Sequence, residues 1–257
     1  MKFINNSLAF WIKKFPIKTS KSHKYSRGQL VVVSGEKEMI GASMLSAEAA
    51  LRTGVGAVKA LCSKENFKIF ASNFPSLLKK EINSFNEFKK FVLQNKNSVY
   101  LIGPGAGATS TTLKKTKYLL KLLDENKIIT PHIKEFKTIF PQLKKINNNK
   151  KLILSAIKQT KATIVLKGHN TLIANNKKIF INKKTSNELA VIGTGDVLAG
   201  LISSLVGDKK MKPIEAAAAG VWIHSKTAIN LKRGLIAEDL IKNIKKTINY
   251  IYGKYSK

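Results

Sequence analysis

Two hydrophobic rhythms alternate along this chain. Short runs of β-branched or apolar residues are followed by longer stretches with apolar residues every three or four positions. Leu30-Val31-Val32-Val33 is apolar throughout and ends in Ser34-Gly35, the pattern of a strand covered on both faces. Gly41–Thr53 is rich in Ala, Met and Leu and predicts a helix, which Gly54 and Gly56 close. Ala57–Leu61 reads as a second strand, and a strand–helix–strand unit implies parallel pairing. Further strands are expected at 98–102, 127–130 and 163–166, with helices at 111–124, 134–140 and 148–158. Thr171–Ala174 and Lys178–Ile181 flank Asn175-Asn176-Lys177 as a hairpin. Helices at 196–206, 213–231 and 237–252 complete the pattern. It predicts a three-layer α/β/α domain with a mostly parallel, doubly wound sheet. Residues 1–22, polar and basic with Trp11 and Phe15 as anchors, read as an N-terminal arm before a single domain over 23–257.

Composition narrows the class. A chain of 257 residues with 44% hydrophobic content can bury a full core. No run of eighteen apolar residues occurs, so no membrane-spanning helix is expected, and no signal peptide is read at the N-terminus. The single cysteine, Cys62, cannot make an internal disulfide, which fits a cytoplasmic protein. It lies in an apolar segment and is expected to be buried and inert. The net charge of +31 is extreme. The lysines are scattered in pairs such as Lys79-Lys80, Lys114-Lys115 and Lys245-Lys246, without interleaved aromatics. That pattern reads as a compositional bias, so neither nucleic acid nor a membrane is an expected partner. A basic field still draws in small polyanions such as nucleotides.

Candidate chemistry concentrates at Gly193-Thr194-Gly195-Asp196-Val197-Leu198-Ala199-Gly200. Two glycines and a threonine precede an apolar helical run. Gly193, Thr194 and Gly195 can turn backbone N–H groups toward one point, and the helix N-terminus adds partial positive charge. This is an anion hole suited to phosphate. Asp196 stands at its rim, placed to take a proton from a hydroxyl. The same residue types are also ordinary turn and N-cap residues. Four more loops follow strands: Ser34-Gly35 with Gly41-Ala42, Gly103–Gly107, Thr130-Pro131-His132, and Lys167-Gly168-His169-Asn170-Thr171. In an open parallel sheet, ligands bind outside the carboxyl ends of the strands, so these loops line one crevice. Singly each has a plainer reading: a tight turn at Gly103-Pro104-Gly105, a capping or core histidine at His132, a solvated lysine at Lys167.

These segments, with Ala50–Gly56, Ala219–His224 and Leu235–Leu240, occur in an order that resembles the ADP-dependent NAD(P)H-hydrate dehydratase family, a ribokinase-like fold. The resemblance spans about residues 23 to 240. His23–Gly28 also resembles the opening of this domain in bifunctional members, where an epimerase domain comes first; no such domain is expected here. The resemblance implies dehydration of (S)-NADHX or NADPHX to NADH or NADPH, with AMP and phosphate as the other products. ADP would be the co-substrate, with ATP an alternative, and Mg²⁺ would accompany it. Asp196 would be the catalytic base and Gly193–Gly195 the anion hole. Lys167, Gly168, His169, Asn170, Thr171 and Gly195 would bind nucleotide. Ala42, Gly107, His132 and Asp196 would contact the hydrate. Metal ligands stay unassigned. A separate epimerase and a homo-oligomer would be the partners, the latter through the Ala- and Val-rich helix at 213–231.

One departure stands out. The family has a further strand, ending in Asp-Ala-Asp-Ala-Leu, and a helix between the Gly-Pro-Gly and Thr-Pro-His loops. Here only Ala108–Ile129 joins them. A parallel crossover needs about a dozen residues, so a strand-and-helix unit of roughly 20 residues is expected to be missing, with Leu122–Asn126 as its remnant. Lys134 also stands where the family usually has glycine. Two other functions fit the motifs less specifically: a vitamin-type alcohol kinase of the same fold class, and a non-catalytic nucleotide or nucleic-acid binder.

Overall fold

In a computed structural model of the chain, Leu30–Val33 are 0–2% exposed, as expected of a strand covered on both faces. The structure describes residues 1–20, 22–24, 26–122, 127–183, 185–208 and 211–255. The strand β2 (Gln29–Val33) pairs in parallel with β3 (Ala57–Cys62) and β5 (Val99–Leu101), and β3 with β4 (Leu78–Glu81). These form one sheet in the order β4-β3-β2-β5. A second sheet uses β1 (Phe3–Asn5), β6 (Ile128–Ile129), β7 (Thr163–Leu166), β8 (Thr171–Ala174) and β9 (Ile179–Asn182), in the order β1-β9-β8-β7-β6. The hairpin expected at 171–181 is present, and β8 runs antiparallel to both β7 and β9.

The expected single sheet is therefore two. The break falls between β5 and β6, from which the strand-and-helix unit is expected to be missing, and one helix, α4 (Ser110–Leu122), joins them. Omitting one strand leaves its neighbours roughly 10 Å apart, twice the interstrand spacing, too far for a hydrogen bond. The residues of β5 and β6 are half-buried, whereas those of β7 are buried. Of the expected remnant, residues 123–126 lie outside the described residues, as does Tyr25 of the His23–Gly28 stretch.

Side chains of β2 alternate between two helical layers. Leu30 and Val32 pack with α1 (Ile40–Thr53) and α2 (Lys64–Asn73). Val31 and Val33 face α3 (Phe85–Gln94) and α4. On the second sheet, Ile164 and Leu166 face α5 (Ile133–Ile139) and α6 (Asn149–Ala156), while Val165 faces α8 (Pro213–Leu231). The helix α7 (Thr194–Gly207) touches β2 and β5 and also packs on α8, which touches β7, β8 and β9. Together with α9 (Ala237–Tyr255), these helices cross the break and bury one continuous core. The halves are held by helix packing where strand pairing stops.

The segment expected to be an arm is tied into the domain. β1 is the edge strand beside β9, and Trp11 and Phe15 are 1% and 4% exposed. Asn6 Nδ2 donates to Asn182 Oδ1 and Ala218 O. Helix α8, expected to present apolar surface to another copy, buries most of its Ala and Val residues inside its own chain. Among the described residues, no helix is long and apolar enough to cross a membrane. Cys62 is buried, and burial pushes its thiol up to about 11, so it stays protonated and unreactive at neutral pH.

Candidate active site at the start of α7

The turn into α7 depends on Gly193, whose φ of +85° is costly for any residue with a Cβ. An added Cβ would also lie 2.7 Å from Leu45 Cδ1. The Thr194 hydroxyl donates to Leu189 O and Val191 O at 2.8 and 2.9 Å. It pins the incoming loop, so only the backbone of Thr194 is free to face a ligand. Gly193, Thr194 and Gly195 then open α7, leaving their first-turn N–H groups without helical partners. Asp196 lies in the same turn, half-buried. Burial raises its carboxyl above the usual range; the Lys167 ammonium opposes this and Glu135 adds to it.

The neighbouring loops converge by direct contact. Ser46 Oγ lies 2.9 Å from Ala42 O and 3.1 Å from Asp196 O, holding the start of α1 against α7. Ser43 Oγ accepts from Gly35 N and donates to Pro104 O, joining the loops after β2 and β5. Glu36 N donates to Gly105 O at 3.0 Å. Gly107, with a φ of +62°, sits against the Glu36 carboxylate. Lys167 N donates to Pro131 O, linking the loops after β7 and β6. Lys167 Nζ is 3.8 Å from Glu135 Oε2, and would be 3.4 Å from a Cβ placed on Gly195. A single path thus runs from Gly107 through Ala42 and Asp196 to Lys167 and His132. Gly41, Gly103 and Gly168 line it, and a Cβ on any of them would meet nothing within 4 Å. These loops stand at the carboxyl ends of β2, β5 and β7, where a doubly wound sheet binds its ligands.

Two residues have local roles that sequence alone leaves open. His132 is the N-cap of α5: its Nδ1 accepts from Lys134 N and Glu135 N, while Glu135 Oε2 accepts from His132 N. Its Nε2 faces Glu135 Oε1 at 3.4 Å. Thr171 is buried and donates to Gly168 O, shaping the Lys167–Thr171 turn from below. Gly168, His169 and Asn170 are exposed along that turn. Glu135 joins the site through contacts with both His132 and Lys167. Its signal in the sequence is its position three residues after a cap. Among the described residues, no group of three His, Cys, Asp or Glu side chains could hold a metal ion. A recess of about 740 Å³ lined by Met1, Ile157, Lys158 and Lys161 lies at the amino end of β7, away from these loops.

A family model described as NAD(P)H-hydrate dehydratase matches residues 30–123 and 111–249. The two matches overlap on α4, so one helix is aligned both after β5 and before β6. A chain lacking the intervening strand and helix gives that overlap. An ADP-dependent (S)-NAD(P)H-hydrate dehydratase of Nitrosopumilus maritimus is 30% identical over 243 residues, covering 83% of this chain and 84% of that one. The bifunctional NAD(P)H-hydrate repair enzyme Nnr of Helicobacter pylori is 32% identical over 263 residues; the match covers 90% of this chain but spans about half, 52%, of the relative. The fold matches that of an ADP/ATP-dependent NAD(P)H-hydrate dehydratase from Bacillus subtilis, co-crystallized with ATP/Mg²⁺, with a TM-score of 0.81 and 21% identity over 98% of this chain and 99% of that one. With the match running from β2 into α9, through every loop that lines the crevice, the chain belongs to the NAD(P)H-hydrate dehydratase family.

Proposed function

We propose that this protein is an ADP-dependent dehydratase that returns (S)-NADHX and NADPHX to NADH and NADPH. The observation that carries the reading is Asp196, a half-buried carboxylate with a raised pKa at the rim of a helix N-terminus, beside the Lys167 ammonium. The C6 hydroxyl of the hydrated ring attacks the β-phosphorus of ADP. An O–P bond forms, the bond to AMP breaks, and Asp196 takes the hydroxyl proton. The N–H groups of Gly193–Gly195 face the charge on the transferring phosphoryl group. The ring C–O bond then breaks, a neighbouring ring proton leaves, and the double bond returns with release of phosphate.

Lys167, Gly168, His169, Asn170 and Thr171 would hold the nucleotide, whose phosphates meet the ammonium of Lys167. Ala42, Gly107 and His132 would contact the hydrate from the other side of Asp196. Mg²⁺ fits as a companion of the phosphates: such ions are held by phosphate and water with one or two carboxylates, and Asp196 and Glu135 stand nearest Lys167. Bound there, it would neutralise phosphate charge. A separate epimerase would supply the S form, and the chain is taken to act in the cytoplasm. ATP in place of ADP is the nearest alternative donor.

Product analysis separates this reading from a kinase of the same fold, because a kinase leaves a stable phosphoester. Free phosphate in step with AMP supports the dehydratase; a retained phosphoester overturns it.

Lys167→Ala gives a second check. The Lys167 ammonium holds the Asp196 carboxyl down against burial, so its loss raises that pKa further. Because the base must be ionised, kcat/KM falls as pH drops through the Asp196 pKa. The acid limb of Lys167→Ala therefore moves to higher pH, and nucleotide binding weakens more than hydrate binding. An unmoved limb, or equal losses in calorimetry, would count against the assignment.

A further inference from the structure

His224 lies on α8, packed against the first turn of α7, and is 7% exposed. Its Nε2 is 2.9 Å from Thr194 O. A carbonyl oxygen only accepts, so the ring must be the tautomer that carries its proton on Nε2. Burial holds the imidazole neutral, with its pKa lowered to about 4; the hydrogen bond to Thr194 O opposes this and the Lys167 charge adds to it. A neutral ring with one N–H spent on one backbone oxygen is a fixed donor across the working pH range.

The carbonyl it holds belongs to a particular peptide unit. Thr194 C=O and Gly195 N–H share one planar trans amide and point in opposite directions. Fixing the oxygen from beneath fixes the direction of the N–H above, and polarises it. Helix geometry already supplies one donor to Thr194 O from the following turn; His224 occupies its second lone pair. The Thr194 hydroxyl independently fastens the preceding loop to Leu189 O and Val191 O.

We propose that His224 is a positioning residue: by donating to Thr194 O it aims the Gly195 N–H at the phosphoryl group transferred in the crevice. The inference rests on the reading of Gly193–Gly195 as an anion hole. Deleting an anion-hole donor costs about 10²- to 10³-fold in kcat. Here the donor stays and only its aim is lost, so about 10- to 100-fold is expected.

The test compares wild type, His224→Leu and His224→Gln. Leu removes the donor at similar volume; the Gln amide nitrogen reaches about where Nε2 lies. His224→Leu should lose 10- to 100-fold in kcat with little change in KM, and His224→Gln should stay within about threefold of wild type. In protein labelled with ¹⁵N-glycine, ADP should shift the Gly195 amide resonance alike in wild type and His224→Gln, and less in His224→Leu. If His224→Leu does not fold, His224→Asn replaces it, since its amide is one bond too short to reach Thr194 O. A donor-less variant with wild-type kcat overturns the proposal. So does a His224→Gln that falls as far as His224→Leu, or a Gly195 response to ADP that is the same in all variants. A wild-type protein without dehydratase activity would end the proposed function, while the amide response to ADP would still decide the role of His224.

Discussion

Asp196→Asn is expected to lower turnover by about two to four orders of magnitude, the range a positioned general base supplies, while ADP still binds. The amide keeps the shape of the carboxylate and the turn around it, because the contacts that hold this turn run through backbone. Ser46 Oγ meets Asp196 O, and the Thr194 hydroxyl meets Leu189 O and Val191 O. The loss should thus appear in kcat rather than in nucleotide affinity. The same substitution should raise the melting temperature at neutral pH. Burial raises the Asp196 pKa in the folded state. A carboxyl with a raised folded pKa contributes stability at low pH that is lost as pH rises through that pKa. Asn carries no such loss, so the gain over wild type should grow from acid to neutral pH and vanish in acid. Near-normal turnover in Asp196→Asn would show that the base is another group.

Gly200→Ala should cost stability and substrate affinity together. A Cβ there would lie 2.2 Å from Ser46 O and 3.0 Å from Ala49 Cβ, where α7 crosses α1. The first contact is with backbone, so relief requires the helices to part. Overpacking of this kind costs about 1–3 kcal/mol, or more where neither partner can yield. The site is affected as well, since this crossing sets the distance between Ala42 on α1 and Asp196 on α7. Gly200→Ala should show a lowered melting temperature and a raised KM for the hydrate, measured on the fraction that remains folded. A variant as stable as wild type would mean that α1 and α7 are less closely packed than 2.2 Å implies.

The parts of this fold that were legible in sequence are those where one local signal dominates. Leu30–Val33 and Thr163–Leu166 are continuous apolar runs, and both are buried strands. The Gly-Thr-Gly-Asp turn announces a helix start because glycine, threonine and aspartate have little other use before an apolar run. The residues quoted for the site also fall along one crevice, because strand-end loops of a doubly wound sheet have nowhere else to go. What stayed hidden depends on distant partners. β4 reads Leu-Lys-Lys-Glu, with no apolar alternation, and is a strand only because β3 pairs with it. Phe85, Phe88, Phe91 and Val92 follow a helical spacing on α3, and that signal is local. Phe3–Asn5 is too short to announce a strand, and its place beside β9 follows from Asn6 and Trp11 docking on the second half of the chain. The division into two sheets was not foreseen: the 22 residues from Ala108 to Ile129, set against the longer link of the resembled family, pointed to a missing strand-and-helix unit but not to the break in the sheet. Side-chain commitments were invisible in the same way. The Lys167–Glu135 ion pair and the contact of Ser46 Oγ with Asp196 O join residues far apart in the chain, whereas the capping role of His132 is local.

The break between β5 and β6 gives the central claim its sharpest edge, because it lies beside the proposed hydrate pocket while leaving α7, Lys167 and Asp196 in contact with their supports. The most direct measurement is absorbance of the reduced nicotinamide ring in a mixture of the purified protein, hydrated NADH, Mg²⁺ and ADP, with ATP in a parallel cuvette. A nucleotide-dependent rise, absent with Asp196→Asn, is the predicted result, and it would also show that the missing strand and helix are dispensable for turnover. No rise from a protein that still binds ADP would contradict the proposed function and leave a family member that binds nucleotide without repairing the cofactor.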